Sequence, residues 1–115
     1  MAMTRDEVRT MALSLQGVEE ATAYGRPGFK AFGKFLTRIR DEDDSLVLSG
    51  VGFDEREMLI AADPETFHLT PHYQNYPTVL ARLERIDPAT ARAMLVRRWR
   101  ECAPKKLLKT LDSQA

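Results

Sequence analysis

The strongest constraint in this chain is the run over residues 24–40, which reads as two short β arms joined at Gly33. The first arm carries Phe29, Ala31 and Phe32. The second alternates Phe35, Thr37 and Ile39 against Leu36, Arg38 and Arg40. A period of two puts successive side chains on opposite faces, the signature of a strand. Gly33–Lys34 predicts the tight turn, because Gly takes a positive φ at no steric cost. Gly25 and Pro27–Gly28 predict the turn that enters the hairpin. The remainder of the chain has to extend or cover this sheet, since a lone hairpin is marginal in water.

Thr4 followed by Glu7 fits a capping box, and Val8, Met11, Ala12 and Leu15 then recur at helical spacing up to a C-cap at Gly17. Thr22 and Tyr24 suit a strand, with Glu19 and Glu20 in the turn before it. Residues 46–48 form a compact apolar strand. Asp54 is placed to cap a second helix packed through Met58, Leu59, Ala61 and Ala62 and ended by Asp63–Pro64. Phe67 and Leu69 flank His68 in a small alternating segment, and residues 78–83 read as a strand. Asp87 as N-cap with Pro88 at the first position starts a helix whose face carries Ala91, Met94, Leu95, Trp99 and Cys102. Leu95, Trp99 and Cys102 are expected to face the sheet. Pro104 ends that helix, and Leu107, Leu108 and Leu111 mark a short terminal one. The expected architecture is α+β: helices on one antiparallel sheet containing residues 30–32, 35–40, 46–48 and 78–83. At 115 residues, this is one domain or half of a dimer core.

Composition narrows function mainly by exclusion. The formal net charge is zero, which argues against wrapping nucleic acid through bulk charge but leaves room for a local basic patch. The one cysteine, Cys102, allows no disulfide framework and points to a reducing cytoplasm. No apolar stretch approaches the ~18 residues a membrane helix needs, and residues 1–5 lack the pattern of a signal peptide.

The candidate chemistry is thin. His68 and His72 are four apart, but Pro71 between them opposes a regular helix and no Glu completes a zinc motif. Gly50 and Gly52 lack the third glycine of a dinucleotide loop. The acids at 41–44 lack the spaced ligands of a calcium loop and read as a solvated turn. Cys102 reads as a buried thiol, although nearby Arg98, Lys105 and Lys106 favour a thiolate. The serines sit in no nucleophile elbow. No cofactor, metal or catalytic activity is expected.

Two stretches carry more signal. Residues 24–40 hold Arg26, Lys30, Lys34, Arg38 and Arg40 with no acid. Residues 96–109 hold Arg97, Arg98, Arg100, Lys105, Lys106 and Lys109 against Glu101 alone. On one side of the molecule, Lys30, Lys34, Arg38, Arg97, Arg100, Lys105 and Lys106 would contact the phosphates of double-stranded DNA, weakly and without sequence preference. Tyr24, Tyr73 or Tyr76 would stand at the rim of that patch. The competing expectation is a protein or small-molecule partner at the polar-aromatic loop over 70–77, through His72, Tyr73 and Tyr76.

The chain also resembles a known family. The segments Leu15–Gln16–Gly17–Val18–Glu19–Glu20, Tyr24–Gly25–Arg26–Pro27–Gly28–Phe29–Lys30 and Gly33–Lys34–Phe35 are similar to the MmcQ/YjbR family. So are Thr70–Pro71–His72–Tyr73 and Pro104–Lys105–Lys106, in the expected order. The resemblance implies a CyaY-like α+β fold and has been taken to suggest DNA binding through wing-like hairpins; it implies no established activity. Two departures stand out. Trp99 and Cys102 occupy the late helix where relatives more usually carry Ser and Tyr. The acids at 41–44 lie at a hairpin end where a phosphate-facing wing prefers Lys or Arg. With only Asp6 and Glu7 in the first helix, the acidic ridge of the iron-binding members of that fold is not carried over.

Overall fold

A computed structural model describes residues 3–23 and 25–114. Helix α1 (Arg5–Leu13) starts on the expected capping box: the Glu7 amide donates to Thr4 Oγ1 at 3.1 Å and the Thr4 amide to Glu7 Oε1 at 2.9 Å. It stops earlier than Gly17. The Ser14 hydroxyl bonds back to Met11 O at 2.6 Å, satisfying a carbonyl that another turn of helix would have used.

Strand β1 (Val18–Ala23) takes in Glu19 and Glu20, which the sequence put in a turn. It pairs with β2 (Arg26–Ala31), and β2 with β3 (Lys34–Thr37), all antiparallel. Tyr24, expected to continue the strand and to edge a basic patch, lies outside the described residues. Ala31 pairs with Lys34, so the two turn residues are Phe32 (φ 52°) and Gly33 (φ 80°), not Gly33 and Lys34. Positive φ at both centres is the hairpin turn whose twist matches the strands. Phe32 tolerates it because its ring is anchored, 6.0 Å from the Trp99 ring and directly over Gly17. A Cβ on Gly17 would stand 2.4 Å from that ring.

The expected strand over 35–40 breaks at Arg38. β3 ends at Thr37, and β4 (Ile39–Arg40) begins a second antiparallel sheet with β5 (Ser45–Ser49), β7 (Thr78–Arg82) and β6 (Phe67–His68), in the order β4-β5-β7-β6. The expected single sheet is therefore two. They are stitched at the break, where Val47 N donates to Arg38 O at 2.9 Å and Thr37 Oγ1 to Val47 O at 2.6 Å.

Helix α2 (Phe53–Ala62) is entered from Gly52 rather than capped by Asp54, and Met58 is exposed instead of packed; Leu59 and Ile60 meet the core. Asp87 caps α3 (Pro88–Cys102) as expected, through Thr90 N at 3.1 Å, and α4 is Lys105–Gln114. The face of α3 serves two cores. Ala91 and Leu95 pack with Val8, Leu46, Leu48 and Val79 over the second sheet. Trp99 and Cys102 pack with Ala12, Phe29, Ala31 and Leu36 over the first, closed by Leu107, Leu108 and Leu111. Trp99 Nε1 donates to Gln16 O at 2.7 Å, so the indole buries its ring without orphaning its donor. α3 is the beam that holds the two sheets together.

Candidate functional site

Where the sheets meet, a cleft of about 870 Å³ opens between the strand break at Arg38, the loop over 70–77 and the last turns of α3. Three local features build it. The first is the break itself. Arg38 stands beside Gly28, whose missing side chain leaves room: a Cβ there would lie 3.1 Å from Arg38 Cβ. Arg38 is buried and its Nη2 donates to the Tyr73 hydroxyl at 2.8 Å.

The second is the loop. Residues Pro71–Tyr73 form one 3₁₀ turn inside what the sequence predicts as irregular chain; Pro71 at its start needs no amide donor. The His72 ring meets the Tyr73 ring edge-on at 4.7 Å and the Tyr76 ring at 6.2 Å. Arg56, on α2, holds this loop from beneath. Its Nη1 donates to Tyr76 O at 2.8 Å, Tyr73 O at 3.2 Å and Thr78 O at 3.3 Å, and its Nη2 to Gln74 O at 3.0 Å. The same guanidinium lies 4.8 Å from the centre of the Phe53 ring. Planar donors converging on backbone carbonyls are a use to which Lys is not suited.

The third is α3. Arg98 Nε and Nη2 both donate to Phe35 O, at 3.0 and 2.9 Å, and Nη1 to Glu101 Oε1 at 3.3 Å. Gly50 lets the Glu101 carboxylate lie over β5's exit; a Cβ at Gly50 would clash with it. The walls are apolar, with Phe35, Val47, Pro77 and the half-exposed Tyr76 ring.

Of the expected DNA-contacting residues, Arg38 is turned into this cleft and buried. Arg97 forms a two-pronged pair with Glu55 (2.8 and 2.9 Å), and Arg100 pairs with Asp112 at 3.0 Å. Lys30 is half-buried on β2, while Lys34, Lys105 and Lys106 are exposed. The expected ligand-contacting residues, His72, Tyr73 and Tyr76, do come together, and with Arg38. Sequence reasoning missed Arg56, Arg98 and Glu101. The signal available for Arg56 was a lone cation in the acidic first turn of α2, against the helix dipole, a placement that calls for a specific partner.

Other candidates resolve into structural roles. Burial raises the Cys102 thiol above its ordinary range and outweighs the opposing pull of Arg98 and Lys34, so the expected drive towards a thiolate loses. Its Sγ sits 3.6 Å from Phe35 O. Ser45, His68 and Asp43 gather at one point: Ser45 Oγ lies 2.7 Å and Asp43 Oδ2 3.7 Å from the same nitrogen, His68 Nε2. A relay needs the acid on the opposite ring nitrogen, and Ser45 is fully buried. The cluster is a bridge tying the turn over 41–44 to β6. His68 is held below its ordinary pKa by burial first and the nearby Arg82 next, against Asp43. Among the described residues, no group of three or more His, Cys, Asp or Glu side chains is placed to hold a metal ion, and no helix is long and apolar enough to cross a membrane.

The geometry thus defines an α+β protein of two antiparallel sheets with an arginine- and tyrosine-lined cleft at their junction. The chain belongs to the YjbR family, whose model matches residues 13–101. That span runs from the end of α1 to the last turn of α3 and includes every cleft residue named above. Uncharacterized proteins of Mycobacterium tuberculosis (Rv2570 and MT2646) and of Mycobacterium bovis (Mb2600) are 34% identical over 89 residues, 75% of this chain and 69% of theirs. No solved structure gives a significant match.

Proposed function

We propose that this protein is a small-ligand-binding module that works by binding rather than by catalysis, with the ligand in the cleft beside Tyr73 and Tyr76. The observation that carries the reading is the cleft itself. It encloses about 870 Å³, has apolar walls and directs a few polar groups inward, the ordinary composition of a small-molecule site. The loop that forms one wall is fixed in advance by Arg56, which lowers the ordering cost of binding. A thermal-shift screen against a metabolite library tests the proposal. A ligand at about a hundredfold excess over its Kd stabilises the folded state by about 2.7 kcal/mol. That gain should vanish in a Tyr73→Ala, Tyr76→Ala double variant, which keeps the backbone carbonyls that Arg56 grips. No stabilising compound, or stabilisation that survives the double variant, overturns the reading.

A second reading, weak duplex binding, draws support from Lys34, Lys105 and Lys106. These are exposed, and among the described residues no carboxylate lies within ion-pair distance of them. Fluorescence anisotropy against duplex DNA at several salt concentrations tests it. Lys34→Ala should lower the log–log salt slope by about one. Adding Arg38→Ala should leave the slope where it is, because that guanidinium is buried. No salt-dependent binding at low salt excludes the reading.

A further inference from the structure

Among the described residues, Arg38 is the one guanidinium lining the cleft that has no carboxylate in reach. It is 8% exposed, and its single hydrogen bond among the described residues goes to a neutral hydroxyl, Tyr73 Oη at 2.8 Å. No carboxylate of a described residue lies within 4.0 Å of it. Buried cations are ordinarily paired, because a charge withdrawn from water and left alone is costly. Among the described residues, the fully buried polar side-chain atoms left without a partner are elsewhere, at Arg40 Nε and Asp43 Oδ1; the remaining Arg38 donors keep some exposure, and Arg38 lines the cleft. Of the other arginines lining the cleft, Arg98 is spent on Phe35 O and Glu101, while Arg26 is exposed and donates to Glu42 at 3.3 Å.

We propose that the cleft binds an organic monocarboxylate with a flat apolar body, its carboxylate on the Arg38 fork beside the Tyr73 hydroxyl and its body against Tyr76, Phe35 and Pro77. This rests on the small-ligand reading and supplies its chemistry. One uncommitted planar fork matches one carboxylate, the pairing that guanidinium geometry favours. A phosphate dianion brings a second charge that, among the described residues, no second buried and unpaired guanidinium of the cleft answers and that Glu101 repels. The apolar walls exclude a wholly polar ligand, which would lose its hydration against them.

Three matched probes decide it: 2-naphthoate, 2-naphthamide and 2-naphthyl phosphate, titrated into the full chain. Kd is read by calorimetry, and location by amide shifts of residues 49–52 and 78. The acid should bind at least about tenfold tighter than the amide, the scale of one charge-assisted hydrogen bond. Arg38→Met should erase that preference, bringing the acid down to the affinity of the amide in the same variant. Tyr73→Phe, which keeps the ring, should weaken the acid more than the amide. Because the comparison of the three probes uses wild type, it stands even where a variant does not fold. Equal binding of acid and amide, or a preference that survives Arg38→Met, overturns the carboxylate assignment and leaves the cleft reading intact. Tighter binding of the phosphate overturns it in favour of a phosphate monoester. If none of the probes binds but a library compound does, the flat monocarboxylate falls alone; if nothing binds, both readings fall.

Discussion

Two polar loops flank the second sheet, and arginines hold both, by opposite means. The acidic turn over 41–44 is answered from outside. Arg5 bonds to Asp41 at 2.8 Å and to Asp44, Arg40 reaches Glu42 at 3.1 Å, and Arg26 lies 3.3 Å from Glu42. Most of those groups are in water. The aromatic loop over 70–77 is held mainly from inside, by buried Arg56, whose donors go to backbone carbonyls, with Arg38 and Arg40 adding bonds to the Tyr73 and Thr70 side chains. The lesson concerns what a cation can specify. An exposed ion pair trades hydration for a screened attraction and fixes little. A buried fork on carbonyls has no water to return to, so it dictates the path of the chain. That is why the second loop, and not the acid-rich one, can hold aromatic rings in a set arrangement at the cleft.

The largest expected effect follows from breaking the inner anchor. Arg56→Ala leaves the carbonyls of Tyr73, Gln74, Tyr76 and Thr78 without their donor and should cost roughly 3 kcal/mol or more in a urea melt. Arg56→Lys sharpens the point. It keeps the charge and loses the fork, and should recover less than half of that loss. A Lys variant as stable as wild type would show that a point charge suffices and that the directional account is wrong.

The next effect comes from where the acidic turn meets the second sheet. His68 packs against Ser45 and Asp43 and faces Arg82 and Arg40, and its folded pKa lies below 6.5. The unfolded chain therefore binds more protons than the folded one between the two values. Stability from this group is fully present above about pH 6.5 and is lost as the pH falls through the depressed folded value. Urea midpoints measured stepwise downward from about pH 7.5 should fall, and His68→Gln should flatten the lower part of that profile. A profile unchanged by His68→Gln would mean that the carboxylates alone govern the acid limb.

How legible these features were depended on the range of the interaction that makes them. The capping box at Thr4, the Asp87–Pro88 helix start and the Trp99 face are local or periodic, and were read correctly from residues a few positions apart. The strand break at Arg38 was not. It arises because Thr37 and Arg38 bond sideways to Val47, a partner that the alternating pattern of 35–40 cannot reveal. The Phe32 turn was missed for a related reason: local propensity disfavours Phe at positive φ, and only the distant Gly17 and Trp99 make it tolerable. In the cleft, the aromatic cluster at 72–76 could be seen because it is contiguous. The Arg38–Tyr73 bond joins residues far apart in the chain, so Arg38 was read as a surface cation when its neighbours in space make it an interior one.

The smallest expected effect tests the other half of the comparison. Arg5 is about half exposed, and its carboxylate partners more so, with side-chain exposures of 48%, 74% and 67% for Arg5, Asp41 and Asp44. Arg5→Ala should therefore cost less than about 1 kcal/mol, despite removing two ion pairs that look strong on distance alone. The loss should shrink further at about 1 M salt, where the screening length falls to about 3 Å. Asp44 supplies the control. It sits at φ 49°, where a glycine is at ease, so Asp44→Gly removes one pair while relieving backbone strain. If ion pairing dominates this turn, Asp44→Gly destabilises as Arg5→Ala does. If backbone geometry dominates, as the exposure of these groups implies, Asp44→Gly is neutral or stabilising. An Arg5→Ala loss as large as that of Arg56→Ala would erase the distinction between the two loops.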